Sequence, residues 1–137
     1  MVTVEGADRL RAAGMRVTST RLAILEVVRE GRHLDADDVA LAVRARVGHV
    51  TLQAVYEALG AFTTAGLLRK IDIGPGPARY ESRVGDNHHH LVCRRCGTVQ
   101  DVDCAVGHAP CLEPAARHGY VLDEAEVTFW GMCADCQ

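Results

Sequence analysis

Residues 51–81 read TLQAVYEALGAFTTAGLLRKIDIGPGPARYE, and the hydrophobic period changes inside this stretch. Thr51 is a helix N-cap, and Val55, Leu59 and Phe62 follow at helical spacing on one face, with Gly66 as the stop. Beyond Gly66, residues 67–73 read as a strand, Gly74-Pro75-Gly76-Pro77 as a turn, and residues 78–81 as the returning strand. One helix therefore runs directly into a Gly/Pro hairpin.

Upstream the pattern is helical throughout. Residues 4–13 form a short amphipathic helix that Gly14 ends. Thr18 caps a second helix with Leu22, Leu25 and Val28 at helical spacing, and Gly31 stops it. Asp35 caps a third, whose apolar positions include Val39, Leu41 and Val43. Three or four helices followed by a two-stranded hairpin is the order of a winged helix-turn-helix domain, with the fourth helix for recognition and the hairpin as wing. On that helix Gln53, Tyr56 and Glu57 lie opposite the core face. Gln can pair with an adenine edge, and Tyr can meet a phosphate or a thymine methyl in the major groove. The alternative is an ordinary solvated helix face.

Residues 83–87, Arg-Val-Gly-Asp-Asn, read as a polar hinge. Beyond them lie strand-like segments at 88–93, 98–103 and 120–131 and a helix in the 105–118 region. The expected fold is α+β: a winged-helix DNA-binding domain over 1–82, the hinge, and a small α/β dimerisation domain over 88–137. A unit of about 50 residues is too small to bury a sufficient core alone. A metal staple and a second subunit are the expected supplements, so a homodimer is anticipated.

The staple is written in two pairs, Cys93-x-x-Cys96 and Cys133-x-x-Cys136. A two-residue gap lets two thiolates of one turn reach a single ion, and two such turns close a tetrahedral four-sulfur site suited to structural Zn(II). The alternative is a pair of disulfides. Just before the first pair stands His88-His89-His90. Strand alternation sends His88 and His90 to one face and His89 and Cys93 to the other. Glu81, ending the wing, and Asp101, on the next strand, can join the two imidazoles in a nitrogen/oxygen site that suits Fe(II) or Mn(II). The alternative is a solvated histidine tract. Cys104 and Cys111 can form a redox pair or act as buried small hydrophobes.

Composition narrows the class. With 48% hydrophobic and 24% charged residues the 137-residue chain is globular, and its few aromatics call for an aliphatic core. The acid-bearing N-terminus argues against a secretory signal, and no run approaches the roughly 18 apolar residues of a membrane helix. Six cysteines in a chain read as cytoplasmic point to metal or redox chemistry. The net charge of -3 is uneven: residues 1–82 carry 11 Lys/Arg against 10 Asp/Glu, and residues 83–137 carry 4 against 8. Any phosphate contacts must therefore be local. An enzyme is disfavoured: four thiolates leave zinc no open position, and no Cys-x-x-Cys opens a thioredoxin-like unit. No catalytic residue and no small-molecule substrate is expected.

These motifs together resemble the ferric uptake regulator family of metal-dependent bacterial repressors. The resemblance is carried by Arg16-Val-Thr18-x-x-Arg21-x-x-Ile24-Leu25, His33-x-x-Ala36-Asp37-Asp38, Ala54-Val55-Tyr56 with Leu59, and Ala65-Gly66-Leu67. Arg79-Tyr80-Glu81, the His88–Gly97 segment and Gly131-x-Cys133-x-x-Cys136 complete it. The stretch from Ala78 to Cys111 is most similar to actinobacterial members that sit beside catalase-peroxidase genes and respond to peroxide. The resemblance implies a repressor of catalase-peroxidase and of its own gene, binding double-stranded operator DNA, with Arg16 and Arg21 near the phosphates. It also adds His33, so that the implied regulatory site is His33, Glu81, His88, His90 and Asp101. Asp at 101 follows the peroxide-sensing members, whereas iron-responsive ones usually carry Glu. At a further family metal site this chain has Asn87 and Ala125 in place of ligands, which leaves His89 a bystander. Two other readings are an iron-responsive uptake repressor and a thiol sensor working through Cys104 and Cys111.

Overall fold

Three oxygen-bearing side chains start the three longer helices of the N-terminal half. Thr18 Oγ1 accepts from the Arg21 N–H at 3.1 Å, Asp35 Oδ1 from Asp38 at 2.8 Å, and Thr51 Oγ1 from Ala54 at 3.0 Å. Each satisfies one of the N–H groups that a first helical turn leaves without a backbone partner. The computed structural model describes residues 4–74 and 76–137, and the chain divides into two compact units, Met1–Val84 and Gly85–Gln137.

The first unit holds α1 (Val4–Ala12), α2 (Ser19–Gly31), α3 (Ala36–Val47) and α4 (Leu52–Thr64). Their core is aliphatic around one ring: Leu10, Ile24, Val28, Val39, Val43, Val55, Leu59 and Phe62 are fully buried. On α3 the buried stripe is Ala36, Val39, Ala40 and Val43, the spacing of one helix face. Leu41 lies off that stripe and is 70% exposed, contrary to its expected core position. Gly31 is the last residue of α2, and Arg32 takes the left-handed conformation beyond it at φ 67°. Gly66 does act as expected at φ 77°, where Leu67 N–H returns to Phe62 O at 2.9 Å.

The wing is shorter than the sequence pattern suggests and has a third strand. Strands β1 (Leu34–Asp35), β2 (Arg69–Ile71) and β3 (Arg79–Glu81) form an antiparallel sheet in the order β1-β3-β2. Leu67 and Leu68, expected in the strand, are buried in the helical core by the capping turn of α4 instead. Two residues at the foot of α3 give no sequence signal of their own, and pairing with Tyr80 and Arg79 makes them β1. Pro75 of the expected turn lies outside the described residues.

The second unit is built on β4 (His88–Cys93), flanked by β5 (Val99–Asp103) and β6 (Thr128–Gly131). β5 is antiparallel to β4 with His90 opposite Asp101, and β6 is parallel to it with Cys93 opposite Gly131. The helix expected within 105–118 does not form. Gly107 and His118 hold positive φ, two prolines interrupt the stretch, and Val106 and Leu112 are exposed, so no apolar face exists to bury. The strand expected over 120–131 begins only at Thr128. A short 3-10 turn, Ala134–Cys136, follows it.

Removing the cap of the candidate recognition helix should leave that helix folded but less stable. Thr51→Ala is expected to lower unfolding free energy by about 1 kcal/mol in a urea titration. An unchanged midpoint would show that the cap contributes nothing.

Candidate metal centres and nucleic-acid interface

The cysteine pairs meet because two parallel strands end at the same level. β4 finishes at Cys93, and a turn closed by Gly97 N–H to Cys93 O at 3.0 Å folds Cys96 back. β6 lies alongside, with the Arg94 N–H on Gly131 O at 2.8 Å, so the chain delivers Cys133 to the same place. The 3-10 turn then returns Cys136, whose N–H meets Cys133 O at 3.1 Å. All four sulfurs lie within 4.8 Å of one another, and none is in a disulfide. Cys96 Sγ and Cys133 Sγ are 3.7 Å apart. Zn–S bonds of about 2.3 Å at tetrahedral angles put sulfurs about 3.8 Å apart, so the donor set fits zinc.

The charge of this cluster is unequally shared. Backbone N–H groups of Cys133, then Cys96, lower the Cys93 thiol to about 6. Hydrogen bonding to Cys133, together with burial, raises Cys136 to about 12. Without metal, Cys93 is the thiolate that backbone donors stabilise, while Cys136 keeps a proton that an added cation replaces.

The nitrogen and oxygen donors are carried by both units. In the first, β1 pairs with β3 and carries His33 to Glu81, with His33 Nε2 3.3 Å from Glu81 Oε2. The β2–β3 register sets Arg69 opposite Glu81, with Nε 4.0 Å from Oε1. Glu81 is only 2% exposed, so its carboxyl group is surrounded by such partners rather than by water. In the second, His88 and His90 share a face of β4 with ring centroids 4.9 Å apart. Both Nε2 atoms face Asp101 Oδ1, at 3.7 Å from His88 and 3.3 Å from His90. Asp86 Oδ1 lies 2.7 Å from His88 Nδ1, a contact that orients the ring with Nε2 toward Asp101. Asp86 escaped the sequence reading because it sat in a segment read only as hinge. A carboxylate two residues before a ligand-type His is the signal that could have found it.

His89 is buried on the reverse face of β4, with Nε2 3.2 Å from Cys111 Sγ and Nδ1 facing the Val127 N–H at 3.3 Å. Cys104 joins them, and the three ligand atoms lie within 4.8 Å of one another. Cys104 and Cys111 are both free and half-buried. The Gly107 N–H lowers the Cys104 thiol, and burial raises that of Cys111.

On α4 the outward residues are Gln53, Tyr56 and Glu57, with Gln53 Nε2 donating to Glu57 Oε1 at 3.2 Å. Tyr56 is 48% exposed despite its size. Arg16 is exposed just before α2, and Arg21 Nη1 donates to Arg16 O at 2.7 Å, tying the two cationic residues together.

Residues 12–130 match the Ferric uptake regulator family. The transcriptional regulator FurA of Mycobacterium tuberculosis H37Rv is 55% identical over 130 residues, which is 95% of this chain and 88% of that protein. The Vibrio cholerae ferric uptake regulator superposes with a TM-score of 0.75 at 29% identity, covering 93% of this chain and 98% of that one. The Pseudomonas aeruginosa ferric uptake regulator, solved with manganese, gives 0.72 at 28% identity and covers 96% and 99%.

Zinc uptake by the reduced, metal-free chain near neutral pH should release fewer than four protons per ion, because the Cys93 thiol at about 6 is already ionised. Affinity should fall more steeply once pH drops below that value. Proton release measured in weak buffer tests this, and four protons per zinc at pH 7 would contradict the assignment. Cys96→Ser should lose the zinc and destabilise the second unit.

Proposed function

The chain belongs to the ferric uptake regulator family of metal-responsive transcriptional regulators, which are not enzymes, and from that premise we propose a repressor with the following working parts. It binds operator DNA as a homodimer, takes Fe(II) or Mn(II) as its regulatory ion, and responds to peroxide. The observation that carries this reading is the convergence of His88 and His90 Nε2 on one oxygen of Asp101, three donors on one buried face. His33 and Glu81 supply the remaining donors from the first unit. Imidazoles and carboxylates, with no sulfur, suit Fe(II) and Mn(II), and the Pseudomonas relative was solved with manganese.

Ligands drawn from both units make the ion a conformational lock. Only the arrangement that brings His33 and Glu81 to His88, His90 and Asp101 gains the binding free energy, so metal selects it. In a dimer that selection fixes the spacing of two α4 helices on successive half-sites. Tyr56 and Gln53 then read the major groove, while Arg16 and Arg21 hold phosphates. The Cys93, Cys96, Cys133 and Cys136 zinc maintains the second unit throughout.

Peroxide specificity rests on Asp101 in place of Glu and on the resemblance to peroxide-responding members. Iron(II), when bound, supplies one-electron reduction of peroxide, which manganese(II) does not. The chain supplies the oxidisable groups, the imidazoles of His33 and His88. An imidazole that gains an oxygen is a poorer donor, and the lock weakens.

DNA binding should divide cleanly by residue. In anisotropy titrations with the duplex upstream of its own coding sequence, Tyr56→Ala is expected to cost about 1–3 kcal/mol of specific binding. Arg21→Ala should weaken all duplexes alike and reduce the salt slope by about one. His90→Ala should bind with no dependence on added Mn(II). Wild-type behaviour in all three would reject the assignment.

Sensing is tested by treating the iron and manganese forms with peroxide and mapping the peptides by mass spectrometry. One added oxygen on His33 or His88, in the iron form alone and with loss of DNA binding, is the expected result. An iron form that keeps both histidines and its DNA would mark an iron-responsive repressor instead.

A further inference from the structure

The reverse face of β4 gathers a donor set that the lock and the four-cysteine staple leave unused. Cys104 follows β5 directly, and its backbone N–H bonds to Asn87 O at 3.2 Å, which keeps it beside the root of β4. Asn87 Nδ2 also donates to His108 O at 2.6 Å and so draws the irregular chain back over the same spot, three residues short of Cys111. Asn87 thus ties down Cys104 and the chain leading to Cys111, and the buried imidazole of His89 lies with both sulfurs.

We propose that His89, Cys104 and Cys111 form a second sulfur site, which takes a borderline-soft divalent cation of the zinc class through two thiolates and one imidazole. Three features support it. The donor types, two sulfurs and one ring nitrogen, are those of zinc-class sites, and their spacing is close to what such an ion needs. Bonds of about 2.3 Å to sulfur and 2.0–2.1 Å to nitrogen put N and S about 3.6 Å apart around a tetrahedral ion. The observed 3.2 Å between His89 Nε2 and Cys111 Sγ needs only a small opening.

The second feature is what the site would hold. Residues 104–119 contain no helix or strand, and Val106 and Leu112 are exposed, so this stretch has little apolar burial to fix it. A bound ion orders such a segment, as metal does in small domains with thin cores. The third is the contrast with the four-cysteine site. Three protein donors leave one position to solvent, so this ion exchanges while the staple stays closed.

The tautomer gives the site a readable signature. In the metal-free chain the Val127 N–H faces His89 Nδ1, so the ring carries its proton on Nε2, toward Cys111. A neutral ring bound through Nε2 carries its proton on Nδ1, and the Val127 contact must then open. Filling the site therefore reaches the residue just ahead of β6.

The test uses the full chain, reduced, with one equivalent of zinc preloaded on the four-cysteine site. Anaerobic titration with Co(II) should give a thiolate-to-cobalt charge-transfer band whose final intensity corresponds to one sulfur-bound cobalt per chain, however much cobalt the other donors take up, while the zinc is retained. The nitrogen/oxygen ligands cannot produce this band, so failure of the regulatory reading would not alter it. The Cys104→Ser/Cys111→Ser chain should lose the band, keep its zinc and keep its far-ultraviolet circular dichroism. Zinc added in place of cobalt should shift the Val127 amide resonance in the wild type and leave it unmoved in the double variant. A wild type without the band overturns the proposal. So does a band that persists in the double variant, which would trace the sulfurs to exchange at the staple. Refusal of the metal combined with ready formation of a Cys104–Cys111 disulfide under peroxide overturns it equally, and identifies a thiol redox pair.

Discussion

The period of two along β4 is the constraint on which the rest of the second unit depends. Six consecutive residues, His88–Cys93, carry donors on both faces and at the end of one strand. Because neighbours point to opposite sides, nitrogen donors at 88 and 90 are kept apart from His89 and Cys93 without any intervening wall. A shift of one residue in the pairing of β4 would exchange the faces and mix hard and soft ligands. Two flanking strands and the His90–Asp101 register guard against that slip.

Within each unit, burial and charge are matched with few groups. Glu81 keeps its carboxylate in an almost water-free position because His33 and Arg69 approach its two oxygens. His88 is oriented by Asp86 on one nitrogen and faces Asp101 with the other. Carboxylates thus do two different jobs, one holding Nδ1 and the other facing Nε2, and the two can be separated by mutation.

The sequence made much of this legible where the signal was local. Three caps, the Gly66 stop and the stripe on α4 depend on residues within one or two turns of each other, and all are present. The cysteine pairs were legible because their chemistry is restrictive, although the parallel pairing of β6 with β4 that joins them was not. What escaped depends on distant partners. β1 exists only because Tyr80 and Arg79 lie opposite it, and the pairing of His89 with Cys111 spans 22 residues. The helix expected in the 105–118 region does not form, because its prolines and positive-φ positions favour irregular chain.

The parallel pairing of β4 with β6 also orders events in time. An antiparallel partner such as β5 arrives through a short turn, and the helices of the first unit fold through contacts a few residues apart. Bringing Cys133 to Cys96 closes a segment of 37 residues, whose entropy must be lost before any sulfur contact offsets it. Topologies that rely on such distant pairs fold slowly. The helical unit is therefore expected to reach its native state first, and the second unit last, when the ends of β4 and β6 meet. A chain caught between these stages exposes the edge of β4, so the rate at which the sulfur cluster captures its ion governs how long that edge stays open to self-association.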